Sequence, residues 1–238
     1  MSLADHRNAL APQGFLRVAI NLGNPVLAQG DAHSPRGPSV ELAVALAQRL
    51  GVQARFTCHD GAASVVAAAA SDAWDLAFLA IDPARAERIA FSAPYVEIEG
   101  TYLVREDSPA RSVADLDQPG LRIAVGRGAA YDLFLSRELR QASIERAPTS
   151  AAAIALFDQQ RLDAAAGVRQ PLLAWAQAHR GHRVLADRFT AIQQAVAAPA
   201  SRPDEALRAL FAEVDAIKAG PLLRDALARA GQAVTLLR

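Results

Sequence analysis

The run Leu76–Ile81 is the feature that most limits the folds open to this chain. Leu-Ala-Phe-Leu-Ala-Ile is apolar throughout, the length of a buried strand rather than of a helix. Asp82-Pro83 stops it, and Pro83 suits the first position of a helical turn. Arg85 therefore falls in the first turn of a short helix, just beyond the strand's carboxyl end. In open α/β sheets ligands bind at that edge, and a guanidinium there offers a planar fork of donors suited to a carboxylate. The competing reading pairs Arg85 with Glu87 or Glu99 on a solvated surface.

The chain before this run supplies its neighbours. Phe15–Asn21 reads as a first strand, broken by Gly23-Asn24-Pro25, and the proline- and glycine-rich stretch to Pro38 reads as a loop. Ser39–Leu50 reads as a helix capped by Ser39, with Val40, Ala43, Val44, Ala47 and Leu50 on its apolar face and Gly51 at its C′ position. Val52–Thr57 is a second strand and Ala62–Ala70 a small-residue helix able to pack closely on a sheet. Strand, helix, strand, helix, strand makes a βαβαβ half with a parallel sheet and right-handed crossovers.

The second half repeats the alternation. Tyr95–Arg105 is extended, Arg122–Val125 is a strand, and Tyr131–Leu139 is a helix. Between the last two lies Gly126-Arg127-Gly128-Ala129-Ala130-Tyr131. Tyr131 stands where a dinucleotide fingerprint needs its third glycine, and no P-loop lysine follows. The turn reads instead as a helix N-terminus whose N–H groups and dipole favour an anion. Ser143–Ala147 is a strand, Ser150–Gln159 a helix capped by Thr149 or Ser150, and Leu162–Gly167 a strand ending in Val168-Arg169. Arg183–Ala186 reads as an edge strand and Phe189–Ala197 as extended chain. Two amphipathic helices close the sequence, one from Asp204 to about Lys218 with Leu207, Leu210, Phe211 and Val214 inward, the other carrying Leu222, Leu223 and Leu227.

Composition excludes more than it assigns. Formal net charge is zero, so neither nucleic acid nor an anionic membrane surface is an expected partner. Basic residues are nearly all arginine, with Lys218 the single lysine, so a site must be argued from position and not from residue type. The single cysteine, Cys58, admits no intramolecular disulfide; it adjoins His59, but neighbours on a strand point to opposite faces, so a buried structural thiol is expected over a nucleophile. The hydrolase elbow Gly-x-Ser-x-Gly and the zinc motif His-Glu-x-x-His are missing, and the scattered histidines form no cluster, His179 and His182 reading as solvated. No metal and no cofactor are expected. No run approaches a membrane span, and Met1–Gly14 has neither an apolar core nor a small-residue cleavage site.

Pro83, Arg85, Phe91, Ser92, Pro94 and Tyr95 together resemble the lobe-one signature of the type II periplasmic solute-binding proteins, in the branch that binds amino acids (family 3). The order of elements resembles that family from about Phe15 to Gln232. The resemblance implies an α/β two-lobe fold, each lobe a mostly parallel sheet flanked by helices, with residues 15–104 and 195–238 in lobe one and 105–194 in lobe two. It implies a monomeric binding protein, not an enzyme, that captures a small carboxylate ligand between the lobes for an ABC-transporter permease. A periplasmic location follows if a leader peptide is trimmed, and a cytoplasmic one otherwise. Arg85 would anchor the carboxylate; Asn24, Asp82 and Gln193 would orient the ligand; Arg127, Gly128, Ala129 and Tyr131 would hold it from lobe two.

The departures are informative. The loop after the first strand lacks the family's aromatic side chain, and Ala129 and Ala130 stand where a ligand-binding hydroxyl is usual. Val168 or Arg169 occupies the place of the aspartate that takes an α-ammonium, and an unpaired buried ammonium is costly. Arg169 would suit a second acidic group, or else lies on an exposed helix face. The ligand expected is thus an organic acid or atypical amino acid. The same fold resembles cyclohexadienyl (arogenate or prephenate) dehydratases, for which Glu97 or Glu99 would be the general acid; a ligand-sensing subunit is a further alternative.

Overall fold

A computed structural model of the chain describes residues 2–232 and 234–237. The chain forms two compact units, one of Met1–Glu97 with Gln193–Arg238, the other of Ile98–Ile192.

The first unit begins with a 3-10 turn at Leu3–His6 and a short helix α1 (Arg7–Leu10) that bury Leu3 and Leu10, a packed segment not foreseen in the sequence. There follow β1 (Leu16–Asn21), a small hairpin of β2 (Gln29–Gly30) and β3 (Pro35–Arg36), α2 (Pro38–Leu50), β4 (Ala54–His59), α3 (Ala62–Ala69), β5 (Leu76–Ala80), α4 (Pro83–Ala86) and β6 (Ile89–Phe91). In the second unit lie β7 (Val96–Arg105, entering from the first), β8 (Arg122–Gly126), α5 (Ala130–Glu138), β9 (Ser143–Ala147), α6 (Ser150–Gln159), β10 (Ala164–Val168), α7 (Arg169–Ala178) and β11 (His182–Val184). β12 (Thr190–Pro199) leads back to the first unit, which ends with α8 (Asp204–Lys218), α9 (Leu222–Arg229) and β13 (Thr235–Leu236).

Both units use one plan. In the first, β4, β1 and β5 are parallel neighbours and β12 runs antiparallel beside β5, with Gln194 opposite Ala80. In the second, β9, β8 and β10 are parallel and β7 runs antiparallel beside β10. β5 is buried at every position, as a strand covered on both faces must be. Each unit has its own core: Trp74, Val65, Leu79 and Ile89 in the first, Phe157, Leu162, Leu172 and Leu103 in the second. Trp74 also donates its indole N–H to the Val65 carbonyl at 2.9 Å, closing α3 onto the start of β5.

Helix α2 corrects two expectations. Its N-cap is Gly37, at φ 106°, where only glycine is unstrained; Pro38 takes the first helical position and Ser39 is buried inside the first turn. The buried stripe runs through Leu42, Ala43, Leu46, Ala47 and Leu50, leaving Val44 outside, because larger leucines displace the valines from the core side. Gly51 does end the helix in the left-handed conformation. Cys58 is half-buried rather than buried, its Sγ facing the Asp31 carbonyl at 3.9 Å. His182 is not solvated: it pairs with Asp158 at 3.3 Å and packs edge-on against Phe157. His179 is exposed but stacks on Trp175 at 3.7 Å.

Candidate functional site

In the first unit the carboxyl ends of β1, β4 and β5 share one edge, because those strands are parallel. Asn21 closes β1 by accepting the Gly23 N–H at 3.0 Å, and Leu22 donates to the His59 carbonyl at 2.8 Å. Gly23 lies so close to the following turn that a Cβ would meet the Asp60 carbonyl oxygen at 2.5 Å. The loop is thereby pressed against the end of β4. Asn24 carries it onward, its carbonyl accepting from Leu27 and Ala28, while its side-chain Oδ1 is buried without a hydrogen-bond partner among the described residues. Gln29 is committed elsewhere, donating to Pro25 and Ala230 carbonyls.

At the end of β5, Ile81 is 39 % exposed, a large apolar side chain left open at the sheet edge. Its N–H donates to the Gln193 carbonyl at 2.9 Å, which brings exposed Gln193 beside it. Asp82 is the N-cap of α4: its carboxylate accepts the Ala84 N–H at 2.9 Å, and Pro83 takes the first helical position as expected. Arg85 is only 4 % exposed and donates through Nη1 to the Ala80 carbonyl at 2.9 Å. A solvated pairing with Glu87 or Glu99 does not fit that burial. Burial lowers the Arg85 guanidinium to about 10, with the charge of Asp82 acting in the opposite sense. The first unit thus brings Asn24, Asp82, Arg85 and Gln193 to a single sheet edge.

In the second unit the matching edge is formed by Gly126, Ala147 and Val168. The turn before α5 has its N–H groups occupied. Arg127 donates to Ala147 at 2.9 Å, Ala129 to Gly126 at 3.1 Å, and Gly128 to the Asp132 carboxylate at 2.8 Å. The Asp132 carboxylate takes the Gly128 N–H within the turn, and α5 itself starts behind Ala129 with no side-chain cap on its first-turn N–H groups. Asp132 is buried and bound by Arg146 from β9 at 3.0 Å. Neither residue stood out in the sequence, although an acid three residues after an N-cap is a known capping position. The Arg127 side chain is exposed, whereas Tyr131 is buried and donates to Ser150 Oγ at 2.8 Å, tying α5 to the start of α6.

Arg169 takes neither place foreseen for it. From the first position of α7 its Nε reaches Glu99, Nη1 donates to the Leu185 carbonyl at 2.9 Å, and Nη2 to Ala186 and Asp187 at 3.0 Å. It is a strut that holds the chain after β11 onto α7, and its charge is met by Glu99, which Arg188 also approaches at 3.6 Å. Val168, half-buried at the end of β10, therefore occupies the position at which an acid would project. Among the described residues no group of three or more His, Cys, Asp or Glu side chains could hold a metal ion, and no helix is long and apolar enough to cross a membrane.

The family model of bacterial extracellular solute-binding proteins, family 3, matches residues 16–229. No curated protein matches the sequence. Among solved structures, the cysteine-binding protein of Campylobacter jejuni superposes with TM-score 0.80 at 18 % identity, covering 99 % of both chains. The arginine-binding protein of T. maritima (P235GK mutant) gives 0.79 at 19 %, covering 97 % of this chain and 99 % of that one. An ancestral amino-acid-binding protein described as a precursor of cyclohexadienyl dehydratase gives 0.78 at 23 %, covering 95 % and 99 %. At these identities the likeness is one of fold, and it extends over nearly the whole chain.

Proposed function

The chain belongs to the bacterial extracellular solute-binding proteins of family 3, and on that premise we propose that it captures a small carboxylate-bearing solute for an ABC importer. The observation that carries the reading is Arg85, a nearly buried guanidinium at the carboxyl end of β5, in surroundings that disfavour its charge. A ligand carboxylate offers a guanidinium at this edge a planar pair of charged acceptors. Asn24, with a buried acceptor in want of a donor, orients a ligand O–H or N–H, and Ile81 offers an apolar surface. Asp82 and Gln193 frame the same edge. In the second unit, exposed Arg127 and the first-turn N–H groups of α5 lie at that unit's own matching sheet edge.

The solute is an organic acid or atypical amino acid rather than a standard α-amino acid. Val168 gives no carboxylate to an α-ammonium, and burying that group unpaired is costly. Two structural relatives are named for binding arginine and cysteine, and it is Val168 that supports a different ligand here. Of the two acids that could serve a dehydratase, Glu97 and Glu99, the second has its oxygens committed to Arg169 and Arg188, which weighs against Glu99 in that role. Delivery to an ABC permease, action as a monomer and location outside the cytoplasm accompany the reading.

A thermal-shift screen tests the ligand class, since a solute at a hundredfold over Kd stabilises by about 2.7 kcal/mol. Upward shifts are expected with di- and hydroxycarboxylates and not with the standard amino acids. Shifts with ordinary amino acids alone would overturn the assignment.

A further inference from the structure

The chain's single lysine closes α8 and is buried, only 7 % exposed. The recorded partner of the Lys218 ammonium is Asp215 Oδ1 at 3.3 Å, and that acid is itself 57 % exposed. An ammonium carries three donors, so one long pairing among the described residues meets only part of its capacity, and burial makes an unmet charge costly. Beside it opens a cavity of about 760 Å³, bounded by Lys218, Asp215, Arg224, Ala93 and Leu236 among others.

The next helix adds to the positive side. α9 starts behind Pro221, an N-cap without a side-chain hydrogen bond to its first turn. Arg224 lies in that turn, with Nε on Asp225 at 3.1 Å. A helix start of this kind favours negative charge. The cavity thus combines a buried ammonium, the exposed Arg224 guanidinium and a helix start, against Asp215 on its wall and Asp225 paired with Arg224 in the first turn of α9. A lysine that merely complemented the carboxyl end of α8 would do so from solvent, without being buried beside an open cavity.

We propose that this cavity binds a small oxyanion, carboxylate or phosphate, between Lys218 and Arg224. None of its lining residues belongs to the solute site proposed at Arg85, so the two sites are independent. A volume of this size is ordinary for small-molecule pockets, which run from about 300 to 1,000 Å³.

Lys218 being the only lysine, the full chain labelled with ¹³Cε-lysine shows one side-chain resonance, read without altering the protein. Titration with inorganic phosphate, and separately with acetate, should move that resonance saturably, and the arm that saturates identifies the oxyanion. Chloride at equal ionic strength should not move it. Arg224→Gln should weaken the apparent affinity about tenfold, and Asp215→Asn should strengthen it. In Arg85→Ala the response should persist, separating this site from the solute site. No saturation by either oxyanion, reproduction by chloride, indifference to Arg224→Gln, or loss in Arg85→Ala would each overturn the proposal.

Discussion

A buried guanidinium is an unusual way to end a strand, and Arg85 shows what position adds to residue type. Most arginines of this chain are ordinary surface or structural charges, as Arg49 with Glu213 and Arg17 with Asp75 illustrate. Arg85 is buried at a sheet's carboxyl edge, and a hydrogen bond to a charged group contributes about 1.5–3 kcal/mol. Arg85→Ala should therefore weaken solute binding by about ten- to a hundredfold in calorimetric titration, while Arg85→Lys, lacking the planar fork, should recover only part. Undiminished affinity in Arg85→Ala would place the anchor elsewhere. Asp117 supplies a pH-dependent counterpart. It accepts N–H groups from Ala142, Gln141 and Arg140, and these bonds, that from Ala142 first, hold its carboxyl below the ordinary value. A depressed folded-state pKa gives stability that is fully present above the unfolded value and is lost as pH falls through the folded one. Asp117→Asn should thus lower stability at pH 7, and its gap from the parent should close below about pH 4. A gap constant from pH 7 to pH 3 in denaturant titrations would show that the charge is not what matters.

At the scale of elements, the helix starts divide into those made by a side chain and those made by the backbone. Thr149 caps α6, its hydroxyl accepting the Ala152 N–H at 3.1 Å, one of the two candidates that the sequence offered. Thr149→Ala should cost about 1 kcal/mol, read as a lowered denaturation midpoint with unchanged slope. A neutral effect would mean that packing of Ala153, Ile154 and Phe157 fixes the helix alone. α5 begins instead behind Ala129 and α2 behind Gly37, neither with a side-chain cap. Such starts are hard to read from sequence, because several nearby residues could cap and only the path of the preceding chain decides between them. The same ambiguity put the buried stripe of α2 on its valines when leucines fill it.

On the scale of the molecule, the cluster about Asp75 joins segments far apart in sequence. Asp75 immediately precedes β5 and is fully buried; it accepts from the backbone and side chain of Arg17 in β1 and from Arg202 before α8, with Asp72 at the rim. Asp75→Ala leaves two largely buried guanidinium groups without their shared acceptor and should destabilise by about 3–5 kcal/mol. Trp74, the residue before it and buried, reports the loss in a Trp175→Phe background by fluorescence-monitored unfolding. A change below about 1 kcal/mol would show that Asp72 or solvent replaces the missing carboxylate. The second unit carries its own charge-supported joint in Arg169, whose role became visible only with Leu185, Ala186 and Asp187 folded against it.

Much of the architecture is written locally. Uniform burial of β5, the stop at Asp82-Pro83, the left-handed Gly51 and the strand at Ser143–Ala147 all follow from periodicity and backbone preference within a few residues. Those preferences operate over one turn or one strand, so they survive into the fold, and with them the position of Arg85 at a sheet edge. What local chemistry does not contain is the partner of each charged group. Arg169 reads in sequence either as meeting a second acid of a ligand or as lying on an exposed helix face, and is held by a distant glutamate and three carbonyls; the turn at Gly126 gives no sign in sequence that the Asp132 carboxylate takes its Gly128 N–H. Side-chain donors reach across any separation in sequence once the chain is folded, and only the tertiary structure decides which acceptors they find.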